Sequence, residues 1–165
     1  MDDLRTRLHA ALATLLGELL DGSAAEAGWV LNPEDPGLLR SLDTLSAAAA
    51  SARPPGGGPS IAAHVDHLRY GLSLLNRWSE GERNPFAGAD WGASWRRLTV
   101  SEQEWVELRA RFRTEATRWL EAVRRPRGLD DTELTGMIAS VAHLAYHLGA
   151  MRQVDRRLRG PAARD

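Results

Sequence analysis

Apolar residues recur at three- and four-residue intervals through most of the chain, and this spacing constrains the fold more than any other feature. An α-helix turns once in about 3.6 residues, so such a spacing lines a single face. Leu4, Leu8, Leu12, Leu15, Leu16 and Leu19 form one such stripe and predict a first helix from Asp2 to Leu20. Asp2 and Asp3 stand at the positive end of its dipole. No stretch shows the alternation of β-branched and polar residues that a half-buried strand needs.

The breaks in the pattern divide the chain. A turn-rich segment, "DGSAAEAGWVLNPEDPG", precedes a short helix, "LLRSLDTLSAAAASA", which "RPPGGGPS" stops because proline and glycine do not readily continue a helix. Ser60 fits the N-cap of the next helix, "IAAHVDHLRYGLSLLNRW". After Trp78, residues 79–100 lack clear periodicity; unstructured segments of that length often form lids or binding loops. Ser101 and Glu104 have the spacing of a capping box for a helix that ends near Pro126. The last helix starts at Asp130 or Asp131 and runs to about Arg159, roughly 45 Å at 1.5 Å per residue. Four long helices and a short one after the first predict an all-α four-helix bundle, one domain over residues 1–165. The long link from Trp78 to Ser101 lets the two middle helices run parallel, an up-down-down-up order.

Composition narrows the chemistry. The absence of cysteine excludes disulfides, thiolate ligands and a cysteine nucleophile. All 21 basic residues are arginine, which also excludes a lysine Schiff base. A net charge of −1 argues against a nucleic-acid binder, and the arginine clusters 124–128 and 156–160 suit helix C-termini. No apolar run approaches the roughly 20 residues that span a bilayer. The acidic, amphipathic N-terminal segment does not read as a secretory signal, so the expected location is the cytoplasm.

Five histidines remain to be explained. His143 and His147 share a helix face at i and i+4, and His64 and His67 are neighbours at i and i+3 on another helix. A neutral imidazole carries one donor and one acceptor, and burying either unpaired costs about 1–3 kcal/mol. The rings therefore have partners in the core or hold something. Two helices crossing in a bundle bring three or four imidazoles together, a donor set that suits Zn, Ni, Fe or Cu. His9 stands alone on the first helix and is expected to be partly exposed.

"SIAAHVDHLRYGL" followed by "SVAHLAYHLGAMRQ" resembles the DinB/YfiT-like superfamily of bacterial four-helix proteins, and "DWGASWRRLTVSEQEW" resembles the linker of its longer members. The likeness runs from about Pro36 to Arg157. It implies an up-down-down-up bundle, a homodimer, and a divalent metal (Zn, Ni or Fe) held by three histidines. Transferred to this chain, the ligands are His67, His143 and His147, with His64 as the alternate for the first. Many members carry an acid four positions after the first ligand; here that position is Gly71, which leaves room beside the metal. The resemblance further implies thiol transfer with a low-molecular-weight thiol cosubstrate, or hydrolysis, acting on a small-molecule substrate. The alternative is a noncatalytic metal-binding or dimeric interaction protein.

Other residues have assigned expectations. Tyr70, Gly71, Trp91 and Trp95 are candidates for a pocket wall, although for Tyr70 core packing is the first expectation. Trp78, Trp105 and Trp119 fall where core packing is expected. Asp66 is expected to face solvent, Tyr146 to be structural, and Arg152 and Gln153 to serve helix contacts or a dimer surface. No Ser-His-Asp arrangement, phosphate-binding loop or dinucleotide fingerprint is present.

Overall fold

The computed structural model describes residues 2–162. Its helices are α1 (Asp2–Asp21), α2 (Gly37–Asp43), α3 (Ala47–Ser51), α4 (Ile61–Ser79), α5 (Trp91–Ser94), α6 (Glu102–Arg124) and α7 (Asp131–Val154), followed by a 3₁₀ turn at Arg156–Leu158. There is no strand among the described residues. The side chain of Asp2, expected to favour the start of α1, lies outside them.

The caps fall where the sequence puts them. Ser60 accepts from the Ala63 amide at the head of α4. Ser101 with Glu104, and Asp130 with Glu133, form reciprocal capping boxes at the heads of α6 and α7. Each such cap is worth about 1 kcal/mol. The four long helices enclose one core built from Leu16 and Leu19, Ile61 and Val65, Phe112 and Trp119, Met137 and Met151. Each large apolar side chain fully buried there contributes roughly 1.5–3 kcal/mol.

α4 packs against α6 and α7, and α1 packs against the same two helices from the other side. Arg97 reaches both Asp66 on α4 and Glu104 on α6, Asn76 donates to Glu115, and Arg118 pairs with Glu80. Residue numbers rise together in these pairs, so α4 and α6 run in the same direction. Against α7 the order reverses: His64 meets His147, His67 meets His143, and the Trp78 ring covers Gly136.

Several expectations fail for identifiable reasons. The single short helix is two helices, because the Leu45 carbonyl between them accepts the Trp105 indole N–H at 2.8 Å and Ser46 starts a fresh cap. α7 ends at Val154 instead of Arg159, as the Asp155 carboxylate captures the Arg157 amide at 2.9 Å. Arg152, by contrast, makes the contact within the chain that was one of its two expected roles: it turns inward and donates to both oxygens of buried Asp35 at 2.8 Å. His9 is fully buried: its Nδ1–H donates to the Val123 carbonyl at 2.7 Å, and its Nε2 accepts from the Arg127 amide at 3.4 Å. Asp66 is buried too, held by Arg69 at 2.8 Å and Arg97 at 3.1 Å.

Candidate metal centre

α4 and α7 bring four imidazoles together near the head of α4. The Nε2 atoms of His67 and His143 lie 3.2 Å apart, and those of His143 and His147 lie 2.6 Å apart. One nitrogen from each ring falls within 4.8 Å of the other two, as a common metal ion requires. His64 sits behind this trio, its Nδ1 at 2.8 Å from Nδ1 of His147. His67 and His147 are buried, whereas His143 is exposed, so the cluster opens to solvent on the α7 side.

The segment 79–100, expected to lack structure, supplies the cover. α5 is capped by Asp90, whose carboxylate accepts from the Ala93 amide at 2.8 Å. That short helix presents Ser94 to Nδ1 of His67 at 2.9 Å. Trp95 stacks on His67, with ring centres 4.2 Å apart and planes at 20°, and stands edge-on to His64 at 5.3 Å. Three α4 residues around His67 anchor the segment. Asp66 binds Arg97, the Tyr70 hydroxyl accepts from the Asp90 amide at 3.1 Å, and Gly71 leaves space for the Trp91 ring.

Burial sets the protonation state of the cluster. Desolvation pushes His64 and His67 down from 6.5 to about 4, and the neighbouring His143 and His64 press His67 in the same direction. Desolvation, then the three surrounding histidines, pushes His147 to about 3. His143 is lowered as well, again by desolvation. The rings are therefore neutral at pH 7, the form in which imidazole binds a metal.

A cavity of about 820 Å³ runs from His143 between α4 and α7. Its walls include Leu68, Gly71, Leu72, Trp91 and Leu144 near the histidines, with Trp78 and Phe86 further along. Of the expected wall residues, Gly71 and Trp91 line it. Tyr70 and Trp95 do not; they hold the loop and the histidine rings. Trp78 is half-buried against the cavity and is not a core residue, unlike Trp105 and Trp119, which are buried in the core. Tyr146 does not pack inside the bundle; it is 71% exposed, its ring edge-on to His147 at 5.1 Å. Ser94 was not singled out from the sequence, although Trp91 and Trp95 flank it.

The donor set and the fold define a class, that of helical bundles built around a three-histidine centre. The sequence model of the DinB superfamily matches residues 36–151, well over half of the chain, and this protein belongs to that family. Comparison with curated proteins and with solved structures returned no match.

The residues present fit a divalent metal. Two imidazole nitrogens on one tetrahedral zinc stand about 3.3 Å apart, given Zn–N bonds near 2.0–2.1 Å. The His67–His143 separation of 3.2 Å is close to that value, and the 2.6 Å between His143 and His147 is a direct ring-to-ring hydrogen bond that a metal would replace. No carboxylate lines the cavity within a turn of His143; its neighbours there are Ala139, Ser140 and Leu144.

Proposed function

We propose that this protein is a metal-dependent enzyme that transfers a thiol to, or hydrolyses, a small molecule with an apolar body. One observation carries the reading: His143 belongs both to the three-nitrogen cluster and to the wall of the apolar cavity. A zinc, nickel or iron ion bound by His67, His143 and His147 supplies a Lewis acid that lowers the pKa of a thiol or water placed on it. The chain's own residues hold the rings neutral, exclude water from one side of the centre through Trp95, and offer the apolar wall to the substrate.

Thiol transfer is the preferred reaction. Hydrolysis commonly needs a side chain to take a proton from water, and Gly71 occupies the position where many relatives carry an acid. A low-molecular-weight thiol ionises more readily and needs no such base. The second reading, a noncatalytic metal-binding or interaction protein, draws on the hydrogen bonds the rings make to one another. A homodimer is proposed on the outer face of α7, where residues 134–151 carry no charge and Ile138 and Tyr146 are exposed.

Metal analysis by mass spectrometry tests the reading on protein purified without a histidine tag. Near-stoichiometric Zn, Ni or Fe is expected in the parent, with loss in His67→Ala and His143→Ala. A parent that stays metal-free after incubation with divalent ions overturns it. Metal-loaded protein that neither transfers a thiol to apolar electrophiles nor hydrolyses apolar esters or amides supports the noncatalytic alternative.

A further inference from the structure

His64 and Ser94 stand outside the three-nitrogen cluster, yet each contacts one of its rings on the nitrogen that faces away from the centre. We infer that these two side chains are positioning residues that preset the tautomers of His147 and His67, leaving His143 as the adjustable ligand. The inference rests on the metal reading above and follows from counting protons in the hydrogen-bond network.

Ser94 is the simpler case. Its hydroxyl donates to the Trp91 carbonyl at 2.7 Å, so toward His67 it is an acceptor. Nδ1 of His67 therefore carries the hydrogen, and the neutral ring keeps a lone pair on Nε2, directed at the cluster. His64 does the same for His147. Of two nitrogens 2.8 Å apart, one donates and one accepts. If Nδ1 of His147 donates, its Nε2 is bare and can bind a metal. The opposite arrangement puts the proton of His147 on Nε2, where it blocks the centre. An Nε2–H tautomer of His64, with its Nδ1 lone pair toward His147, is the arrangement that serves a metal.

His143 completes the count. With bare Nε2 atoms on His67 and His147, the contacts at 3.2 and 2.6 Å both need a donor, and Nε2–H of His143 serves both. When a metal enters, that proton moves to Nδ1 of a ring open to solvent, where water accepts it. Two ligands are thus prepared by buried partners, and the third exchanges its proton with solvent. His64 becomes a support for the metal instead of the alternate ligand. The segment 79–100 acquires a role beyond covering the site, because α5 is what brings Ser94 to His67.

Zinc affinity, measured by competition with a chromophoric chelator, tests this on the full chain and its variants. His64→Leu removes the acceptor and is expected to weaken zinc binding 10- to 100-fold, the usual effect of losing an outer partner of a metal-bound histidine. His64→Asn places an amide oxygen near the Nδ1 position and is expected to restore affinity to within a few-fold of the parent. Ser94→Ala should weaken binding in the same range as His64→Leu. Since a buried substitution can unfold the protein, cadmium-113 NMR of the unmodified chain is the second arm. Couplings to imidazole nitrogens of His67, His143 and His147, and none to His64, are expected. A coupling to His64, or equal loss of affinity in the Leu and Asn variants, overturns the inference and leaves the metal reading intact. A parent that binds neither zinc nor cadmium removes both.

Discussion

His9 and His147 are equally hidden, with 0% and 2% of their surface exposed, yet their surroundings differ in kind. His9 spends both ring nitrogens on backbone groups, the Val123 carbonyl and the Arg127 amide, and so ties α1 to the end of α6. His147 has only other imidazoles as partners: His64 on one nitrogen and His143 on the other. A histidine satisfied by the main chain is a structural cross-link. One whose ring nitrogens meet only other imidazoles is held by protons that a metal can replace. Burial does not separate the two; the identity of the partner does.

Substitution gives the largest expected contrast. His147→Ala or His143→Ala should abolish stoichiometric zinc binding while leaving the helical content intact, read by metal analysis and circular dichroism. His9→Ala should do the reverse. Zinc stoichiometry is retained, and the folded state loses about 1–3 kcal/mol in urea titration as the Val123 carbonyl loses its buried partner. Loss of zinc in His9→Ala with an unchanged fold would break the distinction.

The pH response sharpens it. In the unfolded chain the imidazoles take up protons near pH 6.5, whereas in the folded metal-free protein His64 and His67 wait until about 4 and His147 until about 3. Between those limits the unfolded state binds more protons, so stability of the metal-free protein should fall as pH drops from 6.5 toward 4. Each ring contributes at most about 1.4 kcal/mol per pH unit. Zinc should stabilise the fold strongly at pH 7 and lose that increment only as pH nears 4, where His67 in the folded chain takes up its proton, as thermal denaturation with and without the ion would show. Stability that is flat over this range would contradict the neutral, desolvated cluster.

Two glycines of the cavity wall separate the pocket from the metal centre at smaller magnitude. A Cβ on Gly136 would lie 2.6 Å from the Trp78 ring, so Gly136→Ala must displace that ring at about 1–3 kcal/mol, with zinc affinity unchanged. A Cβ on Gly71 would meet Trp91 at 3.7 Å, an ordinary contact. Gly71→Ala should therefore stabilise α4 by up to about 1 kcal/mol through helix propensity alone. Urea midpoints measured on both variants would expose an error in either assignment.

The helices and their caps were legible because periodicity, Ser60, Ser101 with Glu104, and Asp130 act locally. What escaped is set by tertiary contacts. Leu45 breaks the second helix because Trp105, sixty residues away, takes its carbonyl. Asp66 is buried because two arginines reach it, one from the far end of the loop. The histidine spacings marked the right helix faces, but spacing along a helix cannot show that Ser94 or His64 stands behind a ring. Tyr70 and Trp95, adjacent to the site in sequence logic, proved to hold the loop and the rings, while Trp78 proved to line the cavity.

The most direct test of the metal centre is X-ray absorption at the zinc edge on zinc-loaded, tag-free protein. Three imidazole nitrogens at about 2.0–2.1 Å with at least one further light oxygen scatterer are predicted, the signature of an open catalytic-type site. Four imidazoles would mean that His64 has joined the shell and closed it. An ion with only oxygen neighbours would show that the histidines on α4 and α7 are bonded to one another for packing and hold no metal.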